Sequence, residues 1–389
     1  MSTRRAGLAL CFLAISTGVT SPASANQYTF VWGEDVIGRT SHVIARQADT
    51  LSDLARAHGV GYEEIVMANR GVDPWLPREG TKVTIPDRHV LPNAPRNGIV
   101  LNVAELRLYY FPRASSDEAR TVVTYPISVG RVDWRTPLGT TSIVRKQTDP
   151  VWTPPASIKR EHALDGDILP DSIGPGDENP LGRHALYLGV SGYLIHGTNK
   201  PYGIGMRVTH GCIRLYPEDV ELLFQQVPVG TAVHLVDQPY KAGWSDGVLY
   251  LEAYPPFGEN RDGAVNHLAE MVPVVMEATR AYPDYPIDWR RAEAEVLDPT
   301  GMPVAIGPRL PPEQRVRQAE EPQPQPTLKS EARVKGAPAR PSRKAPATVG
   351  KAQPRKAAVT AATPAKAVAQ TAKKETPPQR GSQANRSAR

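Results

Sequence analysis

Two imidazoles and a thiol crowd one stretch of this chain, YLIHGTNKPYGIGMRVTHGCIRLYPEDV, which carries His196, His210 and Cys212. A thiolate is the nucleophile of acyl transfer, and histidine is the usual proton carrier beside it. YLIHG predicts a strand that ends at His196. After a glycine-rich connection comes Thr209-His210-Gly211-Cys212. Pro217-Glu218-Asp219 then marks a helix N-terminus, because proline fits the first helical position and acids favour the first turn. Cys212 thus lies a few residues before a positive dipole end. That dipole and a nearby imidazole both favour thiolate, and such settings lower a cysteine pKa from about 8.5 into the range ~3.5–7.5. Gly211 lets the backbone turn so that N–H groups near Cys212 can face a developing oxyanion, where one donor is typically worth about 2.7–4 kcal/mol of barrier. The same three side chains are zinc-ligand types. A zinc site needs a further carboxylate or imidazole at defined spacing and none stands nearby, so neither metal nor cofactor is expected.

The start of the chain explains why the thiol is alone. Arg4 and Arg5 precede an apolar run, Ala6 to Ile15, and Ala23-Ser24-Ala25 is an A-x-A cleavage signal. This pattern predicts a secretory signal peptide over residues 1–25. The run is far shorter than the roughly 20 apolar residues of a membrane span, so no transmembrane anchor is expected after cleavage. Of the two cysteines, Cys11 falls inside this run and would be removed with it. Exported compartments are oxidising, and structural cysteines there come in pairs. Cys212 has no partner, so it is either buried and inert or a working thiol.

A chain of 389 residues is long enough for two or three domains. Its net charge of +6 is unevenly spread: from Pro311 onward there are 17 basic and 5 acidic residues, against 29 and 35 before it. The tail, 311–389, is rich in Pro, Ala, Lys and Arg and has no aromatic residue. Such a segment cannot bury enough apolar surface to offset its chain entropy and is expected to be disordered. Its charge would suit nucleic acid, but export argues against that partner. Anionic wall polymers or lipid headgroups are the polyanions it would meet, and a plain solvated spacer is the alternative.

Between these ends the elements read as mainly β. Residues 41–86 predict a small β-α-α-β unit: a strand at HVIA, a helix capped by Thr50 and Asp53 and stopped at Gly59, a helix in GYEEIVMAN, and a closing strand KVTIP. Residues 97–236 predict a β-rich domain with one helix, YPEDVELLFQQV. Its Pro-rich stretch from Val151 through LPDSIGPGDENPLG is expected to be irregular, and long loops of this kind often bind or cover ligands. Residues 237–310 predict a hairpin around Asp246-Gly247 and a helix with Leu268, Met271, Val272, Val275 and Met276 on one face.

Two resemblances rest on these residues. DTLSDLARAHGVGYEEIVMAN with EGTKVTIP resembles a LysM module, which implies binding to N-acetylglucosamine-containing glycan. HGTNKPYGIGMRVTHGCIR resembles the signature of L,D-transpeptidases with a YkuD-type catalytic domain. GIVLNVAELRLYYF, ISVGRVDWRTPLGTTSI, VWTPP and NPLGRHALYL match the periplasmic Gram-negative branch, with Thr209 where that branch usually has serine. The resemblance implies that Cys212 attacks the L-to-D peptide bond between residues three and four of a peptidoglycan stem peptide. D-Alanine leaves and a thioester remains. It implies His196 as proton carrier, oriented by the Gly197 carbonyl. His210, Gly211 and Cys212 would supply oxyanion N–H groups, and Arg214 would hold a donor carboxylate. An outer-membrane protein, a second stem peptide or water could be the acceptor. The competing readings are a glycan-binding wall anchor with an idle thiol and a zinc-dependent wall hydrolase.

Overall fold

A computed structural model describes residues 26–31, 33–113, 120–256 and 264–313. The predicted signal peptide and nearly all of the predicted tail lie outside the described residues. Within them the chain is mainly β, as the alternating patterns imply.

A nine-stranded sheet dominates. Its spatial order is 26–30, 120–126, 107–111, 98–102, 232–236, 139–148, 184–188, 194–196 and 213–214. Asn26–Phe30, directly after the predicted cleavage point, forms one edge and pairs antiparallel with Arg120–Pro126. The opposite edge is Ile213–Arg214, the segment that follows Cys212. Ile99, Leu101, Leu108, Ile143, Leu186, Ile195, Ile213 and Leu235 all bury themselves in one apolar cluster with Val220 and Leu223 of the helix Pro217–Gln226. The helix therefore packs on the sheet beside that edge, and the edge strands inherit a rigid floor.

Residues 41–85 form the expected β-α-α-β unit. Ser41–Ile44 pairs antiparallel with Lys82–Ile85, and between them lie helices Leu51–Ala57 and Tyr62–Ala68. The Thr50–Asp53 capping box is present. This unit is fused to the sheet and does not hang from it. Glu64 makes a bidentate pair with Arg107, at 2.8 and 2.7 Å, with both side chains fully buried. The Tyr62 and Glu63 N–H groups donate to the carbonyls of Ile204 and Gly205, at 3.2 and 3.1 Å. That approach requires glycine: a Cβ on Gly205 (φ +84°) would lie 2.2 Å from the Tyr62 nitrogen. The small unit thus grips the loop that leads into the Thr209–Cys212 turn.

The predicted hairpin is Tyr240–Ser245 with Val248–Ala253, turning through Asp246 and Gly247 at positive φ. The helix Ala264–Ala278 buries Met271 and Val275, while Val272 and Met276 stay exposed. Two helices were not expected. Trp289–Leu297 packs Ala292 and Val296 against the hairpin cluster. Ala156–Leu164 lies inside the Pro-rich stretch expected to be irregular, so residues 97–236 hold a second α-helix. The correction has a local cause. Proline ends at Pro155, and ASIKREHAL is composed mostly of good helix formers. Pro155 caps it and Gly166, at φ +78°, follows its end.

Candidate active site

Strands Leu194–His196 and Ile213–Arg214 run parallel, pairing Ile195 with Ile213 and His196 with Arg214. One step back, Cys212 falls opposite Leu194, whose backbone hydrogen-bonds the thiol. Alternate residues share a face, so Cys212, Arg214 and His196 project to the same side. Strand rise and spacing put the Cα atoms of Cys212 and His196 roughly 8 Å apart. The Ser128 backbone clamps the other side of the strand, exchanging hydrogen bonds with Arg214 at 2.9 and 3.0 Å. Leu215 N–H donates to the His196 carbonyl at 2.9 Å, which locks the two strands together just past the pair.

The turn itself is held by two hydroxyls. Thr209, fully buried, donates to the Cys212 carbonyl at 2.6 Å and accepts the Gly211 N–H at 3.1 Å. Thr136 donates to the Gly211 carbonyl at 2.9 Å and accepts the Gly130 N–H at 3.1 Å. The Gly211 N–H is thus committed within the turn and is not free to meet an oxyanion. The expectation named the N–H groups of His210, Gly211 and Cys212 together, and of these the Gly211 N–H has a partner within the turn. Gly211 adopts φ +101°, and a Cβ there would lie 2.8 Å from Cε1 of Tyr193.

Electrostatics also depart from expectation. Burial pushes the Cys212 thiol up; the Leu194 backbone and the Arg214 charge pull the other way without overcoming it. His196 is 3% exposed, and burial first, then Arg214, lowers it to about 3 against opposing carbonyls of Gly197 and Leu181. Thiol and imidazole are therefore both neutral near pH 7. Nδ1 of His196 has no hydrogen-bond partner. Arg214 is half-buried, its Nε likewise lacks a partner, and burial lowers its pKa.

Sequence reasoning missed five neighbours. The Cys212 thiol donates to the Gly192 carbonyl at 3.6 Å, and the adjacent Tyr193 is raised by burial and by the Cys212 charge. Trp134 sets its ring edgewise to His210, with centroids 5.1 Å apart. Glu161 Oε2 stands 2.9 Å from His210 Nε2, and Thr136 anchors Gly211. None has a local signal; only the tertiary register gathers them. Among the described residues, no three His, Cys, Asp or Glu side chains gather as a metal site. No helix there is long and apolar enough to cross a membrane.

The sequence matches a known family. Residues 96–235 match the YkuD L,D-transpeptidase catalytic domain. The chain is 39% identical over 278 residues to the "Probable L,D-transpeptidase ErfK/SrfK" of Escherichia coli K12, covering 70% of this chain and 88% of that protein. It is 37% identical over 298 residues to "Probable L,D-transpeptidase YbiS" of the same strain, covering 74% and 94%. Among solved structures, L,D-transpeptidase 3 of Mycobacterium tuberculosis aligns at 16% identity and a TM-score of 0.26, covering 40% of this chain and 67% of that one. The chain belongs to the L,D-transpeptidase family, and its YkuD-type domain is a peptidoglycan transpeptidase domain.

Gly211→Ala is expected to remove most activity and to cost stability. A non-glycine residue at this φ is strained by about 1–3 kcal/mol, and the Tyr193 ring must also move. Urea denaturation and a turnover assay of the variant check both effects.

Proposed function

We propose that this protein is an exported, periplasmic cysteine acyltransferase acting on tetrapeptide stems of peptidoglycan. One observation carries the reading: the parallel register that brings Cys212, Arg214 and His196 to one face, with Nδ1 of the buried imidazole unpartnered. The thiol rests protonated. As sulfur bonds to the carbonyl carbon between residues three and four, its proton passes to Nδ1 of His196. The C–N bond then breaks, the proton goes to the departing amine, and D-alanine leaves. In the second half an acceptor amine attacks the thioester, returns its proton through His196 and expels the thiol. The carbonyls of Gly197 and Leu181 hold the ring. The N–H groups of His210 and Cys212 serve the oxyanion. Arg214 pairs with a substrate carboxylate, for which its planar fork is suited. Residues 41–86 act as a LysM-like module, bringing the domain to glycan strands.

The acceptor is a second stem peptide, giving 3–3 cross-links, or an amine of an outer-membrane protein. Water would make the enzyme a carboxypeptidase. To test the chemistry, purified protein is mixed with disaccharide tetrapeptide, and intact mass and free D-alanine are followed. A stem-peptide adduct on Cys212 with stoichiometric D-alanine supports the proposal. Sacculus binding without adduct or D-alanine favours a wall anchor, and chelator-sensitive hydrolysis favours a metal enzyme; either result overturns it. Muropeptide profiles from cells with and without the gene identify the acceptor.

A further inference from the structure

The helix Ala156–Leu164 is unusual in having no buried residue. Ile158 is only half-buried, so apolar packing holds it weakly and polar contacts carry much of its seat. Two side-chain contacts within it stay local to its own loop: Lys159 with Asp171 at 2.6 Å, and His162 with Asp167 at 2.7 Å. Glu161 is different. One carboxylate oxygen accepts from Arg131 at 2.8 Å, and the other stands 2.9 Å from His210 Nε2. Arg131 also reaches Asp133, and its N–H donates to the Thr209 carbonyl at 3.0 Å. Trp134 closes the far side of the His210 ring. The Glu161 carboxyl lies below its usual range because Arg131, then His210, hydrogen-bond its charged form. One carboxylate thus ties a helix with little apolar footing to both strands of backbone that shape the nucleophile turn.

We propose that Glu161 is a positioning residue that latches the helix Ala156–Leu164 onto the Thr209–Cys212 turn and fixes the His210 ring beside the nucleophile. Glu161, Arg131 and His210 keep side-chain exposures of 33%, 34% and 18%. Partly exposed pairs are individually weak, so the latch belongs to the low-stability end of the molecule. The inference rests on the transpeptidase reading for its kinetic part only; the mechanical part stands by itself.

The test uses the full chain with Glu161→Ala and Glu161→Gln. Hydrogen exchange of the 156–164 peptide, measured without substrate, is expected to quicken about three- to fivefold in Glu161→Ala. The melting temperature should move little, because partly exposed pairs contribute little to global stability. The kcat for D-alanine release should fall roughly tenfold, as for a small misplacement of the reacting groups, with KM changing less than kcat. Glu161→Gln keeps an acceptor for His210 and should recover much of both effects. Unchanged exchange overturns the latch. Unchanged kcat, or a loss confined to KM, overturns the positioning role. Should the wild-type chain release no D-alanine, the transpeptidase reading falls, and exchange alone then decides for or against the latch.

Discussion

Cys212→Ala is expected to abolish D-alanine release, and His196→Gln to slow it by about 10²–10⁴-fold. The double variant should be no slower than Cys212→Ala alone, because the base has no work without its nucleophile and groups acting as a unit are not additive. Both residues sit at one edge of the main sheet, on a floor packed by the helix Pro217–Gln226, so the variants should stay folded. Circular dichroism and a denaturation curve check that point before kinetics are compared. The pH profile sharpens the test. Burial lowers His196 to about 3, so the base is already neutral at every working pH. The acid limb of kcat/KM that an ordinary histidine gives near 6.5 is expected to be missing. Burial raises the thiol, so the rate should not depend on a thiolate formed below neutrality. A limb near 6.5 would mean that the imidazole is solvated in the working enzyme and that the proposed proton route is wrong. The same burial acts on stability. The unfolded chain binds a proton at His196 near 6.5 and the folded chain does so only near 3, so between these values folding weakens as the pH falls.

The elements that could be read beforehand share one property: their signal is local. The Thr50–Asp53 box, the branched and aromatic runs of Gly98–Asn102 and Arg107–Phe111 and the Asp246-Gly247 turn each specify their own backbone. Cys212 and His196 stand out in the sequence as candidates because flanking glycines and a strand end mark them. What was not legible depends on neighbours distant in sequence. The helix Ala156–Leu164 was hidden by prolines on both sides, although its interior has none. Thr136, Tyr193 and Glu161 join the site only through sheet register and loop return. The charge state of the thiol was misread for a related reason. Dipole and imidazole can be inferred from order along the chain, whereas the burial that outweighs them is a property of the assembled sheet.

Lys241→Met should be the most destabilising single change outside the active site, by about 3–5 kcal/mol near neutral pH. Lys241 is buried where three segments meet. Its ammonium donates to the Val90 carbonyl at 2.7 Å, pairs with Glu252 at 3.0 Å, and also pairs with Glu105, both carboxylates being fully buried. Tyr254 donates to Glu252 at 2.7 Å, and the Val90 N–H does so at 2.6 Å. Burial raises Glu252, but Lys241, His89 and Tyr254 together bring it down to about 2. For Glu105 burial wins over Lys241, and its pKa is raised. Methionine fills much of the lysine volume yet leaves two carboxylates sharing a dry site with only His89 to offset their charge. Their charged forms then repel, and both pKa values must rise. In the wild type, Glu252 stabilises the fold above its ordinary value, and that contribution is lost only as the pH falls toward about 2. In the variant the sign reverses: stability falls as rising pH ionises the stranded pair. The gap between the two proteins should therefore be widest at pH 8 and narrow toward pH 5. Urea denaturation at both values measures it, and a gap independent of pH would show that Lys241 acts by packing and not by charge. The cluster fastens the hairpin Tyr240–Ala253 to Glu105, at the turn between two central strands of the catalytic sheet. Its loss should therefore loosen the floor on which Cys212 and His196 are held.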